Sequence, residues 1–470
     1  MRVAWFTPWP PIRSGISAYS VEALDRLAGP PPDPALPWPS SIDVFVDARP
    51  RTLAPAPRHS GRSSIQPAHA FLPAHRRTPY DLVVYQLGNA RCHDFMWPYL
   101  VRWPGLVVLH DGQLHHARAR ALLAGDRERD YRAELAAAHA DAPAALADFA
   151  VAGLTGSPYY LWPMRRVPID AARAVAVHNP RLAAELAIEH PETTIVALPM
   201  GTRDVAPCLP ATMSQRARRW LEEGDGPIFA AIGLVTQEKR VPEALRAFAE
   251  LRPLVPRARL LLVGETASFY DVAADLATLG LTDEVEVTGW VDEADLDGWL
   301  ALADICLCLR WPTARETSAS WLRALAAGRP TVITDLADLV DVPTIDPRSW
   351  TLMLAPRDPA DVVSPRDWRR GVAVAIDILD EAHSLGLAMR RLAHDQGMRR
   401  TLGANAKAWW EAHHTLDHLA AGYQHAFAAV FAAPADPPAR RHFPAHVIDE
   451  GGAHARALVA PFGVEVDFLG

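Results

Sequence analysis

Four short segments bring together residue types suited to an anionic, hydroxyl-bearing ligand, and each lies where an apolar run gives way to a helical pattern. Thr7-Pro-Trp-Pro-Pro-Ile-Arg-Ser-Gly15-Ile puts a glycine at a helix start, where backbone N–H groups can approach an anion and the helix dipole favours negative charge. It also reads as a plain turn capped by Ser14. No Gly-x-Gly-x-x-Gly is present, which argues against a nicotinamide or flavin oxidoreductase. Leu106-Val-Val-Leu-His110-Asp-Gly-Gln-Leu-His-His116 delivers His110 and Asp111 at the end of an apolar strand. His110 reads as a substrate hydrogen-bonding group, as a structural histidine, or as part of a metal cluster with Asp111, His115 and His116, although this spacing fits no zinc signature.

The third segment, Gly233-Leu-Val-Thr-Gln-Glu-Lys239-Arg240, offers two cations at the mouth of a helix. Of the 47 basic residues only Lys239 and Lys407 are lysine, so a general need for charge explains Lys239 poorly; a compact ammonium for a phosphate explains it better, beside the plainer reading of a solvated Lys-Arg pair. The fourth runs from Arg310-Trp-Pro-Thr-Ala-Arg315-Glu316-Thr-Ser318 into a helix carrying Arg323. Thr317 or Ser318 caps that helix and turns N–H groups and hydroxyls toward an anion, while Glu316 either reaches sugar hydroxyls or merely complements the dipole.

These loops need a scaffold that presents strand ends side by side. Apolar runs at 2–6, 42–46, 82–87, 106–109 and 174–177 alternate with helical periods such as 16–27 and 131–149, as in a doubly wound parallel sheet. A second alternation has strands at 228–232, 260–263, 285–287, 305–309 and 331–334, with helices at 242–251, 270–279, 295–303 and 320–327 between them. Residues 29–80 are proline-rich and polar around one strand, 364–431 read as purely helical, and the tail from 432 mixes proline and charge. The expected architecture is α/β, with two tandem doubly wound domains facing across a cleft: 1–205, 206–405, and 406–470 as helices returning toward the first domain plus a tail. Ligands bind such folds at the carboxyl ends of the strands.

Composition agrees. A chain of 470 residues, 50% hydrophobic and 22% charged, suits two domains. A net charge of -8 gives no footprint for nucleic acid, and four cysteines make no disulfide framework, so a reducing, cytoplasmic setting is expected. No apolar run approaches a membrane span, and no basic amphipathic helix stands out, which leaves room only for weak peripheral membrane association.

The order and spacing of Pro10-Pro-Ile-Arg-Ser-Gly-Ile16, Val84-Tyr-Gln-Leu-Gly-Asn89, Leu109-His-Asp111, His178-Asn-Pro180, segment 233–240, Leu262-Val-Gly-Glu265, Thr288-Gly-Trp-Val291 and segment 309–330 resemble the nucleotide-sugar glycosyltransferases of family four, with their two-domain GT-B fold. The resemblance covers residues 1 to about 335, and 387–423 look similar to the family's carboxyl-terminal cap. It implies retaining transfer from a nucleotide-diphosphate sugar to a glycan, lipid-linked or small-molecule acceptor, with no metal and no other cofactor. His110, Lys239 and Glu316 would act at the reacting sugar and diphosphate, with Gly15, Gly233, Arg240, Thr317, Ser318 and Arg323 around the donor. Three departures stand out. Many relatives carry a second glutamate eight residues after the first, where this chain has Arg323 on a segment one residue shorter; Leu234 replaces a common arginine; and Arg315 stands where a similar subgroup, with Glu-Thr-Ser and Leu-Arg-Ala-Leu, often has glycine. A sugar-nucleotide epimerase and a non-catalytic sugar-nucleotide-binding partner are the alternatives.

Overall fold

The computed structural model describes residues 1–47, 63–154, 156–205, 208–224, 226–353, 367–437, 443–449 and 458–463. Part of the proline-rich connection, residues 364–366 of the helical stretch and most of the tail lie outside the described residues. The first sheet contains β1 (Arg2–Phe6), β2 (Ser41–Val46), β3 (Ser63–Pro67), β4 (Leu82–Leu87), β5 (Leu106–Leu109), β6 (Ala174–Val177) and β7 (Thr194–Ala197), all parallel, in the order β3-β2-β1-β4-β5-β6-β7. Helices cover both faces of such a sheet, which is why its central strands are buried along their whole length and almost entirely apolar.

The second sheet contains β8 (Ile228–Ile232), β9 (Arg259–Val263), β10 (Val285–Val287), β11 (Ile305–Cys308), β12 (Thr331–Thr334), β13 (Thr344–Asp346), β14 (Thr351–Met353) and β15 (Ala373–Ile376), in the order β10-β9-β8-β11-β12-β15-β13-β14. Only the β13–β14 pair is antiparallel. In each sheet the strand order reverses beside the first strand of its domain, between β1 and β4 and between β8 and β11. The loops after β1 and β4, and after β8 and β11, therefore converge on two switch points, the crevices in which α/β sheets take their ligands, and the loop after β5 lies one strand further on.

Several expectations need correction. The stretch 364–431 is not purely helical: β15, a buried Ala-Val-Ala-Ile, sits between β12 and β13 inside the sheet. The strands β3, β7, β13 and β14 add to those read from the sequence. The helix expected over 131–149 is two, Glu128–Ala138 and Ala144–Val151; Pro143 lacks an N–H to continue the first and stands at the start of the second. These belong to a helical insertion between β5 and β6 with its own small core around Leu122, Tyr131 and Leu135.

The C-terminal helices join the two halves. Gln396–His413 packs on Ala319–Ala326, and Leu416–Ala432 crosses to the first sheet and lies against Gly15–Leu27. There the Tyr423 and Tyr19 hydroxyls share a hydrogen bond of 2.8 Å, and Gln86 of β4 donates to Tyr423 at 3.1 Å.

Candidate active site

The centre is built from the ends of β8 and β11. Gly233, the first residue after β8, has φ +112°, and a Cβ there would stand 2.6 Å from Lys239 Nζ. A glycine here thus clears the space that the ammonium occupies. The next strand end does the same for the backbone, because a Cβ on Gly264 would meet the Gly233 carbonyl oxygen at 2.1 Å. Lys239 folds back so that Nζ donates to the Ile232 carbonyl at 3.4 Å, in a small recess shared with Cys308, Arg310 and Ser320. Burial first, and then the Arg310 guanidinium, push its pKa down to about 8, against an opposing pull from Glu316. We expect Gly233→Ala to lower activity by displacing Lys239 and to cost stability through its strained φ, on the order of 1–2 kcal/mol, read by melting temperature beside a turnover assay.

After β11 the chain turns into the helix Ala319–Ala326, whose cap is Ser318: its Oγ accepts from Trp321 N at 3.2 Å. Arg310 Nη2 donates to the same hydroxyl at 3.0 Å, and Arg310 Nη1 to Glu316 Oε1. Thr313 Oγ1 donates to Glu316 Oε2 at 3.2 Å. Glu316 is thereby held by two donors at the rim of the cleft, with Thr317 beside it. Arg310 is the functional residue that sequence reasoning left without a role; a cation directly after a buried strand end was the available signal.

Across the cleft, Asp111 rather than His110 meets this centre. Asp111 Oδ2 accepts from Asn89 N at 2.7 Å, and burial, followed by the Glu316 charge, raises its pKa to about 7. Tyr160, from the insertion, feels Glu238, Glu316 and Asp111, and with burial as the larger cause its hydroxyl is pushed up to about 12. His110 is only 6% exposed, and both ring nitrogens are engaged, Nε2 with Gln86 Oε1 at 2.8 Å and Nδ1 with His178 Nε2 at 3.2 Å. Neither is left for a substrate. His110 thus ties β5 to β4 and β6 while its neighbour Asp111 reaches the cleft. His115 is likewise committed, to the Trp162 carbonyl at 2.7 Å and the Tyr131 hydroxyl at 2.6 Å. The histidines do not converge on one point, and among the described residues no three His, Cys, Asp or Glu side chains form a metal-sized group.

The remaining residues divide. Gly15 opens its helix behind the Ser14 cap, and a Cβ there would touch nothing within 4 Å, so space lies open before this N-terminus. Arg240 does not accompany Lys239: with φ +55° it turns away, and its Nε donates to Glu381 at 2.8 Å while Nη2 reaches Glu243 at 3.1 Å. Arg323 also points elsewhere. Its Nη2 donates to Glu22 of the first domain at 2.9 Å and its Nη1 to Glu293. Arg315 bridges the domains too: it donates to Glu185 of the first and, at 2.6 Å, to Asp338 of its own. Arg13 adds a third link, 3.5 Å from Glu265 and 5.0 Å over the Trp290 ring.

Solved structures that cover nearly the whole chain share this fold. Sucrose-phosphate synthase from Thermosynechococcus elongatus superposes with a TM-score of 0.58 at 17% identity, over 92% of this chain and 99% of that one. HepE from Anabaena, solved with UDP and glucose, gives 0.54 at 13% identity, over 88% and 96%. WaaG, a glycosyltransferase involved in lipopolysaccharide biosynthesis, gives 0.53 at 14%, over 91% and 98%. The fold is GT-B. Within it, residues 226–364, which carry Lys239, Arg310 and Glu316, match the family model for glycosyl transferases group 1. Among curated proteins, the 2-deoxystreptamine glucosyltransferase of Streptomyces kanamyceticus is 26% identical over 213 residues, 42% of this chain and 53% of that protein, so the match spans about half the length of the relative. No helix among the described residues of this GT-B chain is long and apolar enough to cross a membrane.

Proposed function

We propose that the protein is a retaining glycosyltransferase that moves a sugar from a nucleotide-diphosphate sugar to an acceptor hydroxyl, releasing the nucleoside diphosphate and the hydroxyl proton. The observation that carries this reading is the meeting of Lys239, Arg310 and Glu316 at the ends of β8 and β11, inside the segment that matches the group 1 model. Lys239 and the N–H groups at the Ala319–Ala326 helix start stabilise the diphosphate as it takes up charge in the transition state. Glu316, oriented by Arg310 and Thr313, accepts from the donor sugar's hydroxyls. Gly15 offers its open helix start from the first domain, and Asp111 faces the transferred sugar. The cleft needs no metal for this. The acceptor is a glycan, a lipid-linked intermediate or a small molecule, and the setting is the cytoplasm.

Arg323 fits a subgroup with Glu-Thr-Ser and Leu-Arg-Ala-Leu, because it does interdomain work that a glutamate could not do opposite Glu22. A panel of nucleotide sugars tested by melting-temperature shift checks the proposal, since a ligand bound only by the folded state raises apparent stability; at 100 times Kd the gain is about 2.7 kcal/mol. We expect one nucleotide sugar and its nucleoside diphosphate to raise the midpoint. No shift with any of them would refute the reading. Conversion of the donor without an acceptor, seen by chromatography, would replace it with an epimerase.

A further inference from the structure

Beyond Glu316 the cleft opens into a chamber of about 970 Å³, between the ends of β6 and β7 on one side and β12 with the loop 335–343 on the other. It is at the upper end of the roughly 300–1,000 Å³ that encloses a drug-sized ligand. It touches the reacting centre at one end only, through Arg310, Glu316, Thr317 and Ser318. Lys239 is absent from its walls and sits in the separate recess behind Arg310. Arg310 itself is already paired with Glu316 and Ser318. A diphosphate bound by Lys239 therefore lies on the recess side of Arg310, which leaves the chamber to the other substrate.

Its walls describe that substrate. Trp321, Trp409, Ile333, Leu339, Val342 and Pro199 present rings and alkyl groups. The polar groups among them are mostly spent: His178 is bonded to His110 and to the Leu198 carbonyl, Asn179 donates to the Asp338 carbonyl at 2.6 Å, and Asp338 is held by Arg315. Charged and imidazole side chains remain where the chamber meets solvent, at Arg181, Asp341, Arg370 and His413. A free sugar placed there would bury several hydroxyls against carbon, at a cost of about 1–3 kcal/mol for each one left unpaired. An apolar body loses nothing comparable against these walls.

We propose that this chamber is the acceptor site, and that it takes an acceptor whose reacting hydroxyl is carried on an apolar ring or alkyl body. The body lies between Trp321 and Trp409 and the hydroxyl points to Glu316. There its oxygen bonds the anomeric carbon as that carbon's bond to the diphosphate oxygen breaks, and the hydroxyl proton leaves with the released diphosphate. The assignment rests on the transfer reading above.

The test is calorimetric binding of phenyl β-D-glucoside, octyl β-D-glucoside below its micellar concentration, and glucose to the full chain. Alongside it, melting shifts with UDP, GDP and ADP are measured for wild type, Leu339→Trp and Trp409→Ala. The apolar glucosides are expected to bind at least tenfold more tightly than glucose. Leu339→Trp, which fills the chamber, and Trp409→Ala, which removes a wall, are expected each to erase that preference while the nucleotide shift stays. Equal binding of glucose and its apolar glucosides, or a preference that survives in whichever variant retains the nucleotide shift, overturns the inference alone. Absence of any nucleotide shift in the wild type overturns the transfer reading and the acceptor assignment with it.

Discussion

Lys239→Met is expected to lower turnover by about 10²–10³-fold, the loss seen when one group that stabilises developing charge is removed, while the protein melts at the same temperature or higher at pH 7. The second half of that expectation follows from burial. The ammonium is held at a folded-state pKa of about 8, below its ordinary value of 10.5, because the recess desolvates it and Arg310 repels it. Between pH 8 and 10.5 the unfolded chain binds more protons than the folded one, so wild-type stability rises with pH through that window. Below pH 8 the full penalty of the buried charge is present, and methionine removes it. A thermal midpoint measured from pH 7 to 10.5 should therefore climb in the wild type more than in Lys239→Met. A variant that loses stability along with activity would mark Lys239 as a structural residue.

The same ammonium sets a pH limit on function. A phosphate needs the charged form, so donor affinity should fall above about pH 8, by at most tenfold per pH unit, and Lys239→Arg should lift that limit only if a guanidinium fits beside Gly233. The recess argues that it does not fit, since Lys239 Nζ already stands where a Cβ on Gly233 would intrude. This is a physical reason for lysine at 239 in a chain that otherwise uses arginine almost throughout.

How far such a site is legible in sequence depends on whether a residue's partner is local. β1, β4, β5, β8 and β9 are predominantly apolar runs buried along nearly all their length, and they were readable together with the loops that leave them. β3 is Ser-Ser-Ile-Gln-Pro on a sheet edge and β7 keeps its end residues exposed, so composition carried little signal for either, whereas β15 is a short apolar run, Ala-Val-Ala-Ile, overlooked within a stretch otherwise read as helical. The loop-to-helix passages placed Lys239, Glu316 and Ser318 near one another because β8 and β11 are neighbours in a doubly wound order. Directions within those loops were hidden. Arg240 follows Lys239 directly, yet a left-handed backbone sends it to Glu381. His110 drew the reading toward itself, whereas its two side-chain partners come from β4 and from the end of β6, and the adjacent Asp111 is the one that feels the Glu316 charge. Arg315 and Arg323 looked like departures at the donor site; their partners Glu185 and Glu22 lie 130 and 301 residues away, and only the fold brings them into reach.

Glu316→Gln is expected to lower turnover by roughly 10–100-fold, the worth of one charge-assisted hydrogen bond made to the transferred sugar, and to change Asp111 measurably without touching it. Asp111 is held at a folded-state pKa of about 7, first by burial and second by the Glu316 charge, against the pull of the Asn89 N–H and Arg310. Between the ordinary carboxylate value of 3.8 and about 7 the folded protein binds more protons than the unfolded one. The Asp111 contribution to stability is thus present at low pH and lost as pH rises through that window. Glutamine at 316 removes one repelling charge, so the loss should end at a lower pH. Asp111→Asn, which has no proton to release, should remove the Asp111 share of that loss and leave the slopes from the other shifted groups, among them Glu22 and the buried histidines. Because Glu316→Gln also leaves the Arg310 guanidinium without its carboxylate, its overall midpoint should drop, and the informative quantity is the shape of the curve between pH 4 and 8. If Asp111→Asn kept the wild-type slope there, the carboxyl would have to be ionised at neutral pH and the two carboxylates too far apart to act on one sugar. If the difference between wild type and Asp111→Asn showed this loss, and the loss moved to lower pH in Glu316→Gln, one acidic group from each domain would share a single field, which is the arrangement a sugar held between the domains requires.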